Sequence, residues 1–285
     1  MLLPLVALVL AQGSLVAPGA QLTLIRGGFS FTEGTTDDAN GNVFFTDQPS
    51  NCIWEYSTDG KFTEFLHPCG RANGMWIDKR GRLITCSDEH NQLWLVSQGQ
   101  ATVLVHDYNG KLLNGPNDVW VRPDGGMYIT DPMYARPYWA RDPKPQIPGN
   151  YVFYLSPDGQ LIPAAIDLNV PNGIIGSPDG KWLYVGDLGA NATYRYRIEP
   201  SGSLSDKTLF CHLGSDGMTM DARGDVYLTG KGVTVFDPSG QEILHVPVPE
   251  PWVGHVCFGG ARHDTLFIAA SQGLYSMKMA VRGAF

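Results

Sequence analysis

Glu33, Asn73, Asn117, Asn172, Asp216 and His255 each stand eight residues ahead of a turn position: Gly41, Gly81, Gly125, Gly180, Gly224 and His263. Of these, Glu33, Asn117, Asn172 and Asp216 offer carboxylate and amide oxygens. Hard donors of mixed charge, with no thiolate and at most one imidazole among the six, select Ca²⁺, with Mg²⁺ or Mn²⁺ as competitors and Zn²⁺ behind them. Two carboxylates balance the charge of a divalent ion. Ligands drawn from four separate segments would leave coordination positions for water or substrate, an arrangement more typical of catalysis than of structure. The bland alternative is that these residues only satisfy backbone groups where strands converge.

Those residues need elements that bring them to one point, and the spacing supplies them. The intervals between successive members are 40, 44, 55, 44 and 39 residues. A period in this range marks one supersecondary unit per repeat, whose equivalent positions meet near one axis if the units form a ring. Each polar residue precedes a short run rich in β-branched and aromatic residues, entered through Gly, Asp or Asn. Val43-Phe44-Phe45-Thr46, Gly126-Met127-Tyr128-Ile129 and Trp182-Leu183-Tyr184-Val185 are examples. Further runs such as Ile53-Trp54-Glu55-Tyr56 and Phe62-Thr63-Glu64-Phe65, joined by Thr58-Asp59-Gly60-Lys61, complete four strands per repeat. The expected fold is all-β, a six-bladed β-propeller with four-stranded blades. The last repeat is one strand short, and residues 22–25 are expected to close it from the N-terminal side.

The 55-residue interval is the one that is stretched, and its surplus falls at residues 133–143, directly after Asp131. Insertions in repeat proteins fall on loops, often on the binding face. The alternation of Tyr134, Arg136, Tyr138, Trp139 and Arg141 suits a lid over a polar organic ligand, or a surface loop packed on its own blade.

The chain has 285 residues, 43 % apolar and 17 % charged, with a formal net charge of -8. Such a composition describes a globular unit, and without a Lys/Arg cluster it has no means of neutralising phosphates; no nucleic-acid or membrane partner is expected. Residues 1–20 read as a signal peptide and leader, since an apolar run over residues 2–11 is too short to span a bilayer and ends in small residues. The expected location is secreted or periplasmic, otherwise cytoplasmic, with residues 21–285 as a single propeller domain. Cys52, Cys69, Cys86, Cys211 and Cys257 show no C-x-x-C spacing and read as buried free thiols, with a Cys52–Cys69 disulfide as the alternative on export.

Several strings then carry a family likeness. Phe31-Thr32-Glu33-Gly34, Gly70-Arg71-Ala72-Asn73-Gly74, Gly115-Pro116-Asn117-Asp118-Val119, Pro171-Asn172-Gly173 and Ser215-Asp216-Gly217-Met218 resemble the gluconolactonase, senescence-marker-protein and luciferin-regenerating-enzyme group. The resemblance implies a six-bladed, Ca²⁺-dependent lactonase whose metal is held by Glu33, Asn117, Asn172 and Asp216. It also implies that Asp216 moves the proton and that Asn117 meets substrate. Thr130-Asp131-Pro132-Met133-Tyr134 matches a string common in bacterial gluconolactonases. Two departures stand out: animal members place an Arg where this chain has Gly115, and the final repeat usually carries an Asn where this chain has His255.

The reaction expected is hydrolysis of a lactone, most simply a sugar lactone. The metal acts as Lewis acid on the carbonyl and Asp216 as general base. Because a metal-bound carboxylate is a poor base, Asp131 and His255 are further candidates, the latter for an ordinary pKa near neutrality. Asp131 reads equally as a loop cap and His255 as a hydrogen-bonded inner residue. Asn73 and Tyr134 join Asn117 as candidate substrate contacts. An organophosphate or aryl-ester hydrolase on the same site, and a non-enzymatic binding propeller, are the rival functions. The expected partner is a small lactone, and the expected state a monomer or weak homo-oligomer.

Overall fold

The computed structural model describes residues 14–285. Twenty-four strands form six four-stranded antiparallel sheets, the blades of a six-bladed β-propeller, and among the described residues there is no helix. Five blades use consecutive strands. The sixth takes Thr23–Gly27 as its outermost strand, paired antiparallel with Gly273–Lys278, so the ring is closed by hydrogen bonds between the two ends of the chain. That closure removes the open edge a linear array would expose. It extends further toward the N-terminus. Leu15 is buried in the core of the last two blades, Val16 bridges Met279, and the Ala280 amide donates to the Leu15 carbonyl at 2.8 Å. Of the expected leader, residues 1–13 lie outside the described residues.

Burial follows strand rank. The second strand of blade one, Val43–Asp47, is buried throughout, whereas the outer strand Phe62–Leu66 is half-buried or exposed at every position. Second strands face neighbouring blades on both sides, and this is why their sequences are near-continuous apolar and aromatic runs. Between blades three and four Trp120 is fully buried, and its ring would lie 2.1 Å from a Cβ placed on Gly176. Full burial of such a side chain stabilises by about 1.5–3 kcal/mol. All five cysteines are free and buried.

The inner strands Thr32–Asp37, Ala72–Ile77, Val119–Val121, Pro171–Gly176, Met218–Met220 and Val253–Gly259 line the axis. Each ends in a tight turn carrying the residue used above as the repeat marker. The five glycines there have φ between 71° and 94°, and in blade six His263 adopts the same left-handed conformation at 51°. At the opposite end the pairing with the second strand breaks wherever a polar marker stands. The register shifts between Glu33 and Thr36, Ala72 and Met75, Pro171 and Ile174, and Val253 and His255. In blades three and five the inner strand begins only after Asn117 and Asp216. Interrupted ladders of this kind bend a strand and re-aim its side chains.

Candidate metal centre at the axial mouth

Where the pairing breaks, the six inner strands come within van der Waals distance of one another. A Cβ on Gly34 would lie 1.9 Å from the Asn73 carbonyl oxygen, and one on Gly254 would lie 2.6 Å from the Glu33 carboxyl carbon. This crowding explains the polar-then-Gly pairs Glu33-Gly34, Asn73-Gly74, Asn172-Gly173 and Asp216-Gly217: only a residue without a side chain lets the next blade approach. Blades are stitched here by the Gly74 amide on the Asn117 carbonyl at 2.7 Å and the Gly173 amide on the Ser215 carbonyl at 3.1 Å.

Glu33 and Asn172 are buried and Asp216 is half-buried at the mouth, and the three lie in one electrostatic neighbourhood. Burial pushes the Glu33 carboxyl well above its ordinary pKa, and the carboxylates of Asp216 and Asp118 push it further; the Gly34 amide and Arg136 oppose them. Asp216 is raised to about 6, chiefly by burial and also by Asp118, against the Trp252 and Asn172 side chains and the His255 ring. Trp252 Nε1 donates to Asp216 Oδ2 at 2.5 Å. Asn172 Nδ2 donates to the Tyr134 hydroxyl at 3.4 Å, while its Oδ1 is enclosed and accepts no hydrogen bond. A buried carbonyl oxygen without a partner costs about 1–3 kcal/mol. Uncompensated carboxylates beside such an oxygen are the donor set a hard cation takes up, so the residues fit the Ca²⁺-type ion expected from their chemistry.

Asn117 and Asn73 are buried at the same level. The Asn117 carbonyl accepts the Gly74 amide of blade two, and the side chains of Asn73 and Asn117 make no hydrogen bond among the described residues. Tyr134 is half-buried on the inserted loop, in contact with Asn172.

His255 lies beneath the cluster. Its Nε2 lies 3.4 Å from Asp118 Oδ2 across the axis and its Nδ1 lies 3.0 Å from Thr35 Oγ1, both within hydrogen-bonding distance. Both nitrogens are thereby engaged between blades one, three and six. Asp118 is a member of this layer that sequence reasoning passed over. It also accepts the Val119 amide at 2.9 Å and the Ile174 amide at 3.1 Å. Its signal was present: it occupies the place that Gly34, Gly74, Gly173 and Gly217 hold in other repeats. Below this layer a cavity of about 800 Å³ runs to the turn end of the channel, with Trp76 and the C-terminal Phe285 among its walls. Glu33, Asn172 and Asp216 are not among the cavity's lining residues; they stand where the inner strands begin, opposite the turn end.

Asp131 stands apart from the cluster. It is fully buried, with Oδ2 accepting the Asn114 amide at 2.9 Å and Oδ1 the Gly115 amide at 2.8 Å. Burial raises it to about 7 even so. Asp47 and Asp187 do the same in blades one and four, the first bonding the Ser30 and Phe31 amides, the second those of Asn169 and Val170. The three are equivalent clasps at the end of a second strand, holding the segment that enters the blade.

The inserted loop reaches across to blade two and converges on one carboxylate. Asp88 accepts Arg136 Nε at 2.9 Å, the Tyr138 hydroxyl at 2.9 Å and Trp139 Nε1 at 3.0 Å. Arg141 adds Nε to Asn91 at 2.7 Å and stacks 4.1 Å from the Trp139 ring. The indole lies over Gly115, 3.1 Å from where a Cβ would be, so a larger residue there would crowd the Trp139 ring. A second group of potential ligands, Cys52, Glu64 and His67, sits on the outer strands of blade one, away from the axis. Burial, then Glu64, push its thiol up to about 12, and this group has no part in the mouth.

A six-bladed propeller with an oxygen-donor cluster at one axial mouth is the class that fold and site define. Residues 31–272 match the SMP-30/gluconolactonase/LRE-like region, and the chain belongs to that family. It is 28 % identical to a gluconolactonase of Zymomonas mobilis, over 92 % of this chain and 82 % of that one. A solved structure described as a candidate gluconolactonase shares 33 % identity with a TM-score of 0.89, covering 95 % of this chain and 96 % of the other. A gluconolactonase structure from Xanthomonas campestris shares 28 % identity and a TM-score of 0.87, covering 93 % and 91 %.

Proposed function

We propose that this protein is a divalent-cation-dependent lactonase that opens the ring of a sugar lactone. The observation that carries the reading is the enclosed Asn172 Oδ1, without a partner, beside the mutually repelling carboxylates of Glu33 and Asp216. The gluconolactonases among its relatives support the substrate class. Glu33, Asn117, Asn172 and Asp216 would hold the ion, Ca²⁺ by donor type. When bound, such an ion polarises the lactone carbonyl and stabilises the charge that develops on its oxygen.

The chain's own groups do the rest. Trp252 holds Asp216 Oδ2 and fixes the orientation of this carboxylate, which would take the proton of the attacking water. Without the ion, burial raises Asp216 to about 6; a bound ion would lower it again. Asp118, His255 and Thr35 close the floor. Tyr134 and the loop anchored on Asp88 form one wall, which limits water to the mouth.

A hydrolysis screen over sugar lactones, aliphatic lactones, aryl esters and organophosphates tests the proposal, with Glu33→Ala as blank. Ring opening of a lactone, lost on chelation and regained with Ca²⁺, is the expected result. Undiminished activity after exhaustive chelation would refute the metal role, and turnover of aryl esters or phosphotriesters alone would refute the substrate class.

A further inference from the structure

We infer that Arg136 is the specificity residue of this mouth: its guanidinium receives the hydroxyl oxygens of a polyhydroxylated, uncharged lactone at the end of the ring remote from the carbonyl. This inference rests on the lactonase reading above.

The guanidinium is oriented before any ligand arrives. Nε is fixed on Asp88 at 2.9 Å, and Cζ lies 5.5 Å from the centroid of the Tyr134 ring. The Tyr134 hydroxyl meets Asn172, which places the arginine one side chain away from the ligand cluster. Its charge reaches Glu33, whose carboxyl it pulls back toward the ordinary range. Among the described residues the two terminal nitrogens have no hydrogen-bond acceptor, although the side chain is only 28 % exposed. A half-buried fork with one edge fastened and the other unused presents parallel donors at fixed spacing, and little entropy is lost when oxygens fill it.

Charge decides which oxygens. Asp88 already neutralises Arg136, while Glu33, Asp118 and Asp216 make the mouth acidic. Even with a divalent ion balancing two carboxylates, no net positive field remains to draw in an anionic substituent. Neutral hydroxyls are acceptors for the arginine edge and impose no charge on the site.

The experiment compares kcat/KM for glucono-δ-lactone and unsubstituted δ-valerolactone in the wild type, Arg136→Lys, Arg136→Ala and Tyr138→Phe. Both arginine variants should lose roughly 10- to 100-fold on the hydroxylated lactone, mainly through KM, and less than about twofold on the plain one. Lysine keeps the charge beside Asp88 and guards against collapse of the loop. Tyr138→Phe removes another donor to the same carboxylate and should leave the ratio between substrates unchanged. Equal losses on both lactones, no loss on either, or the same shift in Tyr138→Phe would overturn the role of Arg136. If the wild type opens neither lactone, it is the lactonase reading that fails.

Discussion

The two ends of the axial channel use the same residue type to opposite effect. At the turn end, Asp78 Oδ1 accepts the Arg80 and Arg82 amides at 2.9 Å, and Oδ2 accepts Arg82 Nε at 2.8 Å. Against the burial that would raise it, these partners bring its pKa below the ordinary value. Asp38 and Asp221 accept amides two and four residues ahead in the same way. At the mouth, Glu33 and Asp216 are raised instead, each pressed by another carboxylate. Asp78 is satisfied by groups of its own turn, whereas Glu33 and Asp216 face carboxylates of other blades; the nearest parallel at the turns is Asp225, raised to about 6 by burial and by Asp221. Hydrogen-bond partners separate the two kinds of acid better than burial or pKa does, for Asp131 is more buried than Asp216 and raised to about 7, yet both its oxygens accept backbone amides.

Removing an acid from the mouth should produce the largest effect. Asp216→Asn is expected to weaken Ca²⁺ binding by calorimetry and to lower kcat/KM by about 10²–10³-fold, since it removes charge from the ion and the proton acceptor together. Its melting temperature in chelator should match or exceed the wild type's, because a repelling charge is gone. A marked fall would move Asp216 into the structural group.

Acidity provides the next test. The folded pKa of Asp216 lies above the unfolded value of 3.8, so the native state binds more protons between the two. The stability this group contributes is present below about pH 4 and is lost as pH rises through about 6; Glu33 acts in the same direction. In chelator, therefore, the wild type should melt several degrees lower at pH 7.5 than at pH 5, and saturating Ca²⁺ should reverse that order. Asp216→Asn should flatten the dependence.

Smaller effects belong to the satisfied acids. Asp131→Asn, which trades one acceptor for an N–H donor facing a backbone amide, should cost about 1–3 kcal/mol in denaturant titrations and leave Ca²⁺ affinity unchanged. Asp78→Asn should cost about 1 kcal/mol or less at pH 7. Its folded pKa is depressed, so the loss should fade as pH falls below the ordinary carboxylate range. Impaired ion binding in Asp131→Asn would return that residue to the site.

Much of the molecule was legible in the chain because a propeller repeats. The eight-residue spacing from polar marker to turn is the length of one inner strand plus its turn, and it recurs because every blade solves the same problem. Blade count, strand order, the N-terminal closure and the set of residues facing the axis all follow from that periodicity. What periodicity cannot distinguish is two acids at different repeat positions. Asp131 and Asp216 look alike in one dimension, and only the fold shows one receiving two amides and the other facing carboxylates from separate blades. Contacts across the axis and between blades were equally out of reach: Asp118 with His255, Trp252 with Asp216, and a loop of blade three fastened to Asp88 of blade two. They join residues 36 to 137 positions apart, at distances set by how the blades pack. Residue types and local turns fix which groups exist and on which strand. Their partners, and hence their charge and chemistry, are decided by closure of the ring.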